Sequence, residues 1–141
     1  MSDTERNKAN LQRLYDEVMN GHRVDAANDL ITVDRPDYDS TFPPEFREGR
    51  AGFKKLFTML LGAFPDLSFT TEFMVAEGDR VFAFTQVRGT HLGAFMGVPP
   101  TGKSFTVNNA DCCRFTEDGL ISEHWGLIDV ASMMRQLGVA A

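Results

Sequence analysis

The chain has 141 residues, the size of one ordinary domain, and its 43% hydrophobic content lets it bury a core without metal or disulfide staples. Twenty Asp and Glu against fourteen Lys and Arg give a net charge of −6, which argues against nucleic acid as a partner because phosphate backbones call for basic patches. No apolar run reaches the roughly 20 residues that span a bilayer, and the polar start MSDTERNKAN is unlike a signal peptide, so a cytoplasmic protein that does not enter the membrane is expected.

In chain order, Leu11, Leu14, Tyr15 and Val18 recur at helical spacing behind a cap at Asp3 or Thr4, and Asn20-Gly21 ends that helix. A short second helix is expected over Val24 to Ile31. Residues 32–48, TVDRPDYDSTFPPEFRE, hold three prolines and no period, which suits a lid or binding loop. Its Asp34, Asp37 and Asp39 lack the glycine and closing Glu of a calcium loop, so they read as solvated charge and no metal is expected. A third helix carries the wide stripe Phe53, Leu56, Phe57, Leu60, Leu61 and Phe64, and Pro65 cannot continue it.

From residue 66 the pattern turns to strands: LSFTTEFMVA, RVFAFTQVRGTH, SFTVNNADCCRF and LISEHWGLI, followed by a terminal helix in VASMMRQLG. Neighbouring strand side chains point to opposite faces, so Cys112 and Cys113 read as small core residues, one per face. Helices first and antiparallel strands second argue an α+β fold, with helices on one side of a curved four-stranded sheet, and residues 1–141 as one domain.

The last hairpin carries the chemistry. Glu117-Asp118-Gly119 suits a three-residue turn with Gly119 left-handed. Thr116 then pairs with Leu120, and continuing that register sets Cys113 against Glu123, Asp111 against Trp125 and Val107 against Asp129. One face would gather Asn109, Asp111, Glu123, Trp125 and Asp129, with His124 on the other. A slip of one would instead set Arg114 against Glu123 as a surface ion pair. A carboxylate between apolar walls is suited to acid–base work near neutral pH.

The stretches GTHLGAFMGVPPTGK (89–103), RFTEDGLISEHW (114–125) and RQLG (135–138), with Asp111 and Asp129, resemble the SnoaL-like polyketide cyclases of the nuclear transport factor 2-like superfamily. REGRAGFKKLF (47–57), AFPDLSF (63–69) and the Tyr15 helix fit as well, so the resemblance covers nearly the whole chain. It implies a cone-shaped α+β barrel around a hydrophobic pocket, three N-terminal helices on the sheet and a short C-terminal helix. It also implies a small hydrophobic or polyketide-like substrate, a homodimer or higher homo-oligomer, and no cofactor. The implied reaction is intramolecular aldol ring closure, with an Asp as acid and base. By this resemblance Asp129 is that residue, His91 a pocket histidine, and Tyr15 and Asn109 ligand contacts. Many relatives carry a His where this chain has VDRPDYD (33–39), a contribution either missing here or replaced by Asp34 or Asp37.

The catalytic candidates are therefore Asp129, His91 and Asp111, and the substrate-binding candidates Tyr15, Asn109 and Trp125. Asp129 also stands where a helix N-cap belongs, and Trp125 reads as a pocket wall. Two other functions fit the same pocket: a non-catalytic module that sequesters a hydrophobic ligand, and hydrolase or isomerase chemistry. An epoxide hydrolase would need an Arg between two pocket carboxylates, and Arg114 points away in this register.

Overall fold

A computed structural model describes residues 2–139 of the chain. Helix α1 spans Asp3–Leu14 and is capped by Ser2, one residue before the expected cap, whose Oγ accepts from Glu5 N at 3.2 Å. Asp3 and Glu5 in its first turn complement the positive end of the helix dipole. The helix does not stop at Leu14 but widens into a π-turn, Tyr15–Asn20. Such turns are rare and often occur at working sites; this one begins at the residue that enters the polar cluster below.

Val24–Asp29 forms a 3₁₀ helix instead of the α-helix expected to Ile31. Val24, Ala27 and Leu30 recur every third residue, the period of a three-fold helix, and Ala27 and Leu30 are buried. Helix α2, Gly49–Ala63, buries Phe53, Leu56, Phe57 and Leu60 and ends before Pro65. Among the described residues no helix is long and apolar enough to cross a membrane.

Four antiparallel strands follow in the order β1 (Ser68–Glu77), β2 (Arg80–Thr90), β3 (Ser104–Phe115) and β4 (Ile121–Ile128), with α3 (Val130–Gln136) after them. This is the expected α+β sheet with helices packed on it. Bulges between Thr71 and Phe73 and beside Phe115 bend the strands, so the sheet curves. Its inner face buries Val81, Ala83, Thr85 and Val87 from β2, and Val107, Asn109, Asp111 and Cys113 from β3.

The β3–β4 turn forms as expected, with Gly119 at φ +85° and Thr116 N bonded to Leu120 O at 2.8 Å. Phe115 also pairs with Ile121. Beyond that pair the register slips by one. Arg114 pairs with Glu123, Cys113 with His124, Cys112 with Trp125 and Asp111 with Gly126. The upstream chain fits this slip: Ile121 N donates to Leu30 O and Ile121 O accepts from Thr32 N, while His124 N donates to Pro36 O and His124 O accepts from Tyr38 N. Two residues three apart thus turn their backbone groups to one edge, which a strand does only with a bulge between them. The slip exchanges the faces of β4. His124, Gly126 and Ile128 turn inward, and Glu123, Trp125 and Leu127 turn outward, the reverse of the sequence expectation.

Candidate active site

Between the inner face of the sheet and helices α1 and α2 lies a cavity of about 80 Å³. Its walls are mostly apolar, with Leu14, Phe53, Phe57, Phe69 and Ile128 among them, and its polar groups include Tyr15, Arg35, Asp37, Asn109, Asp111 and His124. Three parts of the chain bring these six together: the π-turn after α1, the loop over 32–48, and the β3–β4 hairpin. The loop is tied to β4 by Tyr38 N to His124 O at 2.8 Å and His124 N to Pro36 O at 3.2 Å. Gly126 allows the approach, since a Cβ there would stand 2.7 Å from His124 Cε1 and 2.9 Å from Asp39 Oδ2.

His124 sits between two carboxylates. Its Nδ1 is 2.8 Å from Asp37 Oδ1 and its Nε2 is 2.8 Å from Asp111 Oδ1. An ionised carboxylate only accepts, so both ring nitrogens must donate, and only the imidazolium does that. Burial opposes this charge, but the bonds to Asp111 and Asp37 outweigh it and hold the His124 pKa up at about 9. Burial likewise opposes ionisation of Asp111, yet His124, Tyr15 and Asn109 keep its carboxyl below the ordinary range. Asp37 is also lowered, with His124, Arg35 and the Asp39 backbone N–H outweighing burial.

The other oxygen of Asp111 accepts two bonds, which leaves a lone-pair site only on Oδ1, beside His124. Tyr15 Oη donates to Asp111 Oδ2 at 2.6 Å, and Asn109 Nδ2 donates to the same oxygen at 2.9 Å. Burial, reinforced by the Asp111 charge, pushes the Tyr15 hydroxyl well above its usual range, so it stays a donor. Asn109 is itself held by Thr85, whose Oγ1 accepts from Nδ2 at 3.2 Å. Burial raises the Cys113 thiol as well, leaving it a neutral wall residue. The buried cluster thus sets two cations, Arg35 and His124, against two anions, Asp37 and Asp111. Among the described residues no group of three or more His, Cys, Asp or Glu is arranged to hold a metal ion.

Of the residues expected from sequence, Tyr15, Asn109 and Asp111 meet in this cluster. Asp129 does not: it is exposed, lies outside the cavity wall, and caps α3 by accepting from Ser132 N at 3.0 Å. β4 ends at Ile128 as expected, but the slipped register pairs Ile128 with Asn109 and turns it inward, so Asp129 falls away from the inner face and starts the helix. His91 is buried at the end of β2 against Phe64, with ring centroids 5.6 Å apart, and is not among the residues lining the cavity. Its Nδ1 accepts from Thr101 N at 3.2 Å, which pins the loop joining β2 and β3. Trp125 is no pocket wall; it lies on the outer face beside Tyr38 and under the Arg80 guanidinium.

His124 was lost to sequence reasoning by one residue of register, and Arg35 carried no pattern that singled it out. The Arg114–Glu123 pair was the available signal: it forms, at 3.0 Å, only in the slipped register. Asp37, expected from the sequence as solvated loop charge, is instead buried against His124 and Arg35.

Helices packed on a curved four-stranded antiparallel sheet around an apolar cavity make the nuclear transport factor 2-like fold of the SnoaL-like cyclases. The SnoaL-like polyketide cyclase family model matches residues 9–137, and the chain belongs to that family. It is similar to nogalonic acid methyl ester cyclase of Streptomyces nogalater, 29% identical over 84% of this chain and 88% of that one. Solved structures resemble it as well, among them these two. IdmH of Streptomyces antibioticus, a candidate polyketide cyclase, is 33% identical over 94% of this chain and 99% of its own, with a TM-score of 0.79. AclR of Streptomyces galilaeus, a candidate hydroxylase, is 29% identical over 96% of this chain and 82% of its own, with a TM-score of 0.82.

Proposed function

We propose that the protein closes a ring in a polyketide-like ester by intramolecular aldol chemistry, with Asp111 and His124 as the acid–base pair. The observation that carries this reading is the imidazolium held between two ionised carboxylates at the wall of an apolar cavity. Family membership and the likeness to a named ester cyclase support the same class of substrate.

In this reading the activated C–H bond of the substrate breaks and its proton passes to Asp111. The electron pair forms the new C–C bond at a carbonyl carbon, and the carbonyl oxygen takes a proton from His124 Nε2. Asp111 then returns its proton to His124 across their 2.8 Å contact, so the balance closes within the pair. A low-pKa carboxylate is a weak base, and the imidazolium beside it offsets that by stabilising the enolate as it forms. Asp37 holds the ring and its charge, and Tyr15 and Asn109 fix the Asp111 carboxylate. The apolar walls hold the two reacting ends together.

A substrate of several rings needs a pocket of roughly 300 Å³ or more, and the cavity is smaller than that. Residues 32–48 supply Arg35, Asp37, Asp39 and Phe42 to its wall, and this loop is the segment that opens in our reading. Incubating the purified protein with nogalonic acid methyl ester and separating the products by mass spectrometry tests the function. A ring-closed isomer of unchanged mass is expected. Bound but unaltered ester would favour a sequestering module, a product one water heavier a hydrolase, and one oxygen heavier the hydroxylase chemistry considered for AclR.

A further inference from the structure

Among the described residues Arg35 is the one buried cation that the acid–base pair does not use. It is 2% exposed, lines the cavity, and lies with its guanidinium carbon 5.4 Å from the centroid of the Phe53 ring. Its side chain makes one hydrogen bond, from Nη1 to Asp37 Oδ2 at 3.3 Å, long for a charge-assisted contact. Nε and Nη2 have no acceptor among the described residues. Buried donors are almost always satisfied, so two orphans on one side chain at a cavity wall call for an explanation, and a ligand that brings the acceptors is the simplest. Nε–H and Nη2–H point the same way along one edge of the guanidinium, the fork that meets a planar pair of oxygens with two parallel bonds. Asp37 does not serve that edge: its Oδ2 takes Nη1 and its Oδ1 is taken by His124 and Asp39 N.

The remaining walls choose the rest of the ligand. Phe53, Phe57 and Leu60 cannot solvate a small hydrated anion, and they fit an apolar body. We infer that Arg35 anchors the acidic end of the ligand: the cavity takes an apolar molecule ending in a planar pair of anionic oxygens, either a carboxylate or the enolate of a 1,3-dicarbonyl group. This inference rests on the cavity being the substrate site of the ring-closing reading. In that setting an enolate arm would give Arg35 the charge released when Asp111 removes the proton.

The test is binding, without turnover. Isothermal titration would compare benzoate with methyl benzoate, and 1-phenylbutane-1,3-dione with 1-phenylbutan-1-one. The wild type should prefer at least one acidic member over its neutral partner by tenfold or more, about 1.4 kcal/mol. In Arg35→Gln that preference should fall to about threefold or less, with the neutral compounds bound as before. Preference for the dione together with its enolate absorption band, the enol proton passing to solvent, assigns the enolate; preference for benzoate alone assigns the carboxylate. If Arg35→Gln does not fold, nitrogen-15 arginine spectra of the wild type decide, because the Arg35 Nε–H signal should move with benzoate and not with methyl benzoate. Equal affinity within both pairs, or an unmoved Arg35 signal, overturns the proposal. A protein that binds these anions through Arg35 yet closes no ring would remove the cyclase reading and leave the anchor in place. Ring closure without any anionic preference would do the reverse.

Discussion

Replacing Asp111 with Asn should pull the titration of His124 down and flatten the alkaline limb of the stability curve. In the wild type the His124 pKa stands at about 9 against an ordinary 6.5. At 1.36 kcal/mol per unit, that difference favours the folded imidazolium by about 3 kcal/mol. A group whose folded pKa is raised contributes fully below its unfolded value and loses the contribution as pH rises through the folded one. The stability due to His124 is therefore complete below pH 6.5, declines from there to pH 9, and is gone above it. Asp37 and Asp111, whose folded values are lowered, give the opposite limb: their contribution holds above the ordinary carboxylate range and is lost as pH falls through the folded values. The two limbs describe the same contacts and are not added. With Asp111→Asn one 2.8 Å partner loses its charge, and the His124 midpoint should drop by about 1–3 units, the range for one adjacent opposite charge. The chain has three histidines, so their Cε1–H signals can be followed individually by NMR, with thermal melts taken across the same pH series. A wild-type His124 that titrates at 6.5 or lower, or a midpoint that Asp111→Asn leaves in place, would refute the charge balance described here.

Other substitutions probe the frame around this pair. Gly126→Ala should force the His124 ring and Asp39 away from a Cβ that would stand within 3 Å of both, and urea melts should record a loss of about 1–3 kcal/mol, with the His124 midpoint falling. Tyr15→Phe removes the 2.6 Å donor to a buried carboxylate, and the same melts should show about 1.5–3 kcal/mol lost. Asp129→Ala should cost about 1 kcal/mol as a lost helix cap, whereas Asp129→Asn, an equally good cap, should leave the melting temperature nearly unchanged.

Element types and most boundaries were legible because the local periods are strong: the Phe53–Phe64 stripe, the β-branched and aromatic runs of the strands, and the turn at Gly119 each state one structure. The second helix became 3₁₀ because its apolar spacing is three, a period easily taken for the α-helical one over so few residues. The site was half legible. Asn109 and Asp111 fall on the inner face in either register, since the β3 alternation does not depend on the slip, and Tyr15 belongs to the buried stripe of the first helix. His124 and Trp125 exchange faces with a single bulge, and that bulge falls between Ile121 and His124, whose backbones bond Leu30, Thr32, Pro36 and Tyr38, about ninety residues upstream in the chain. Inside the hairpin only the Arg114–Glu123 pairing marks the slip. Arg35 and Asp37 sit in a loop without a period, and only the fold brings them to His124.

The central claim is that Asp111 and His124, and not Asp129, carry the chemistry. The direct measurement is the rate of ring closure of nogalonic acid methyl ester by the wild type, His124→Gln and Asp129→Asn, each confirmed folded by circular dichroism. The account predicts turnover by the wild type, a comparable rate for Asp129→Asn, and a loss of about 100-fold or more for His124→Gln. Loss of activity in folded Asp129→Asn with His124→Gln still active, or no ring closure by the wild type, would contradict it.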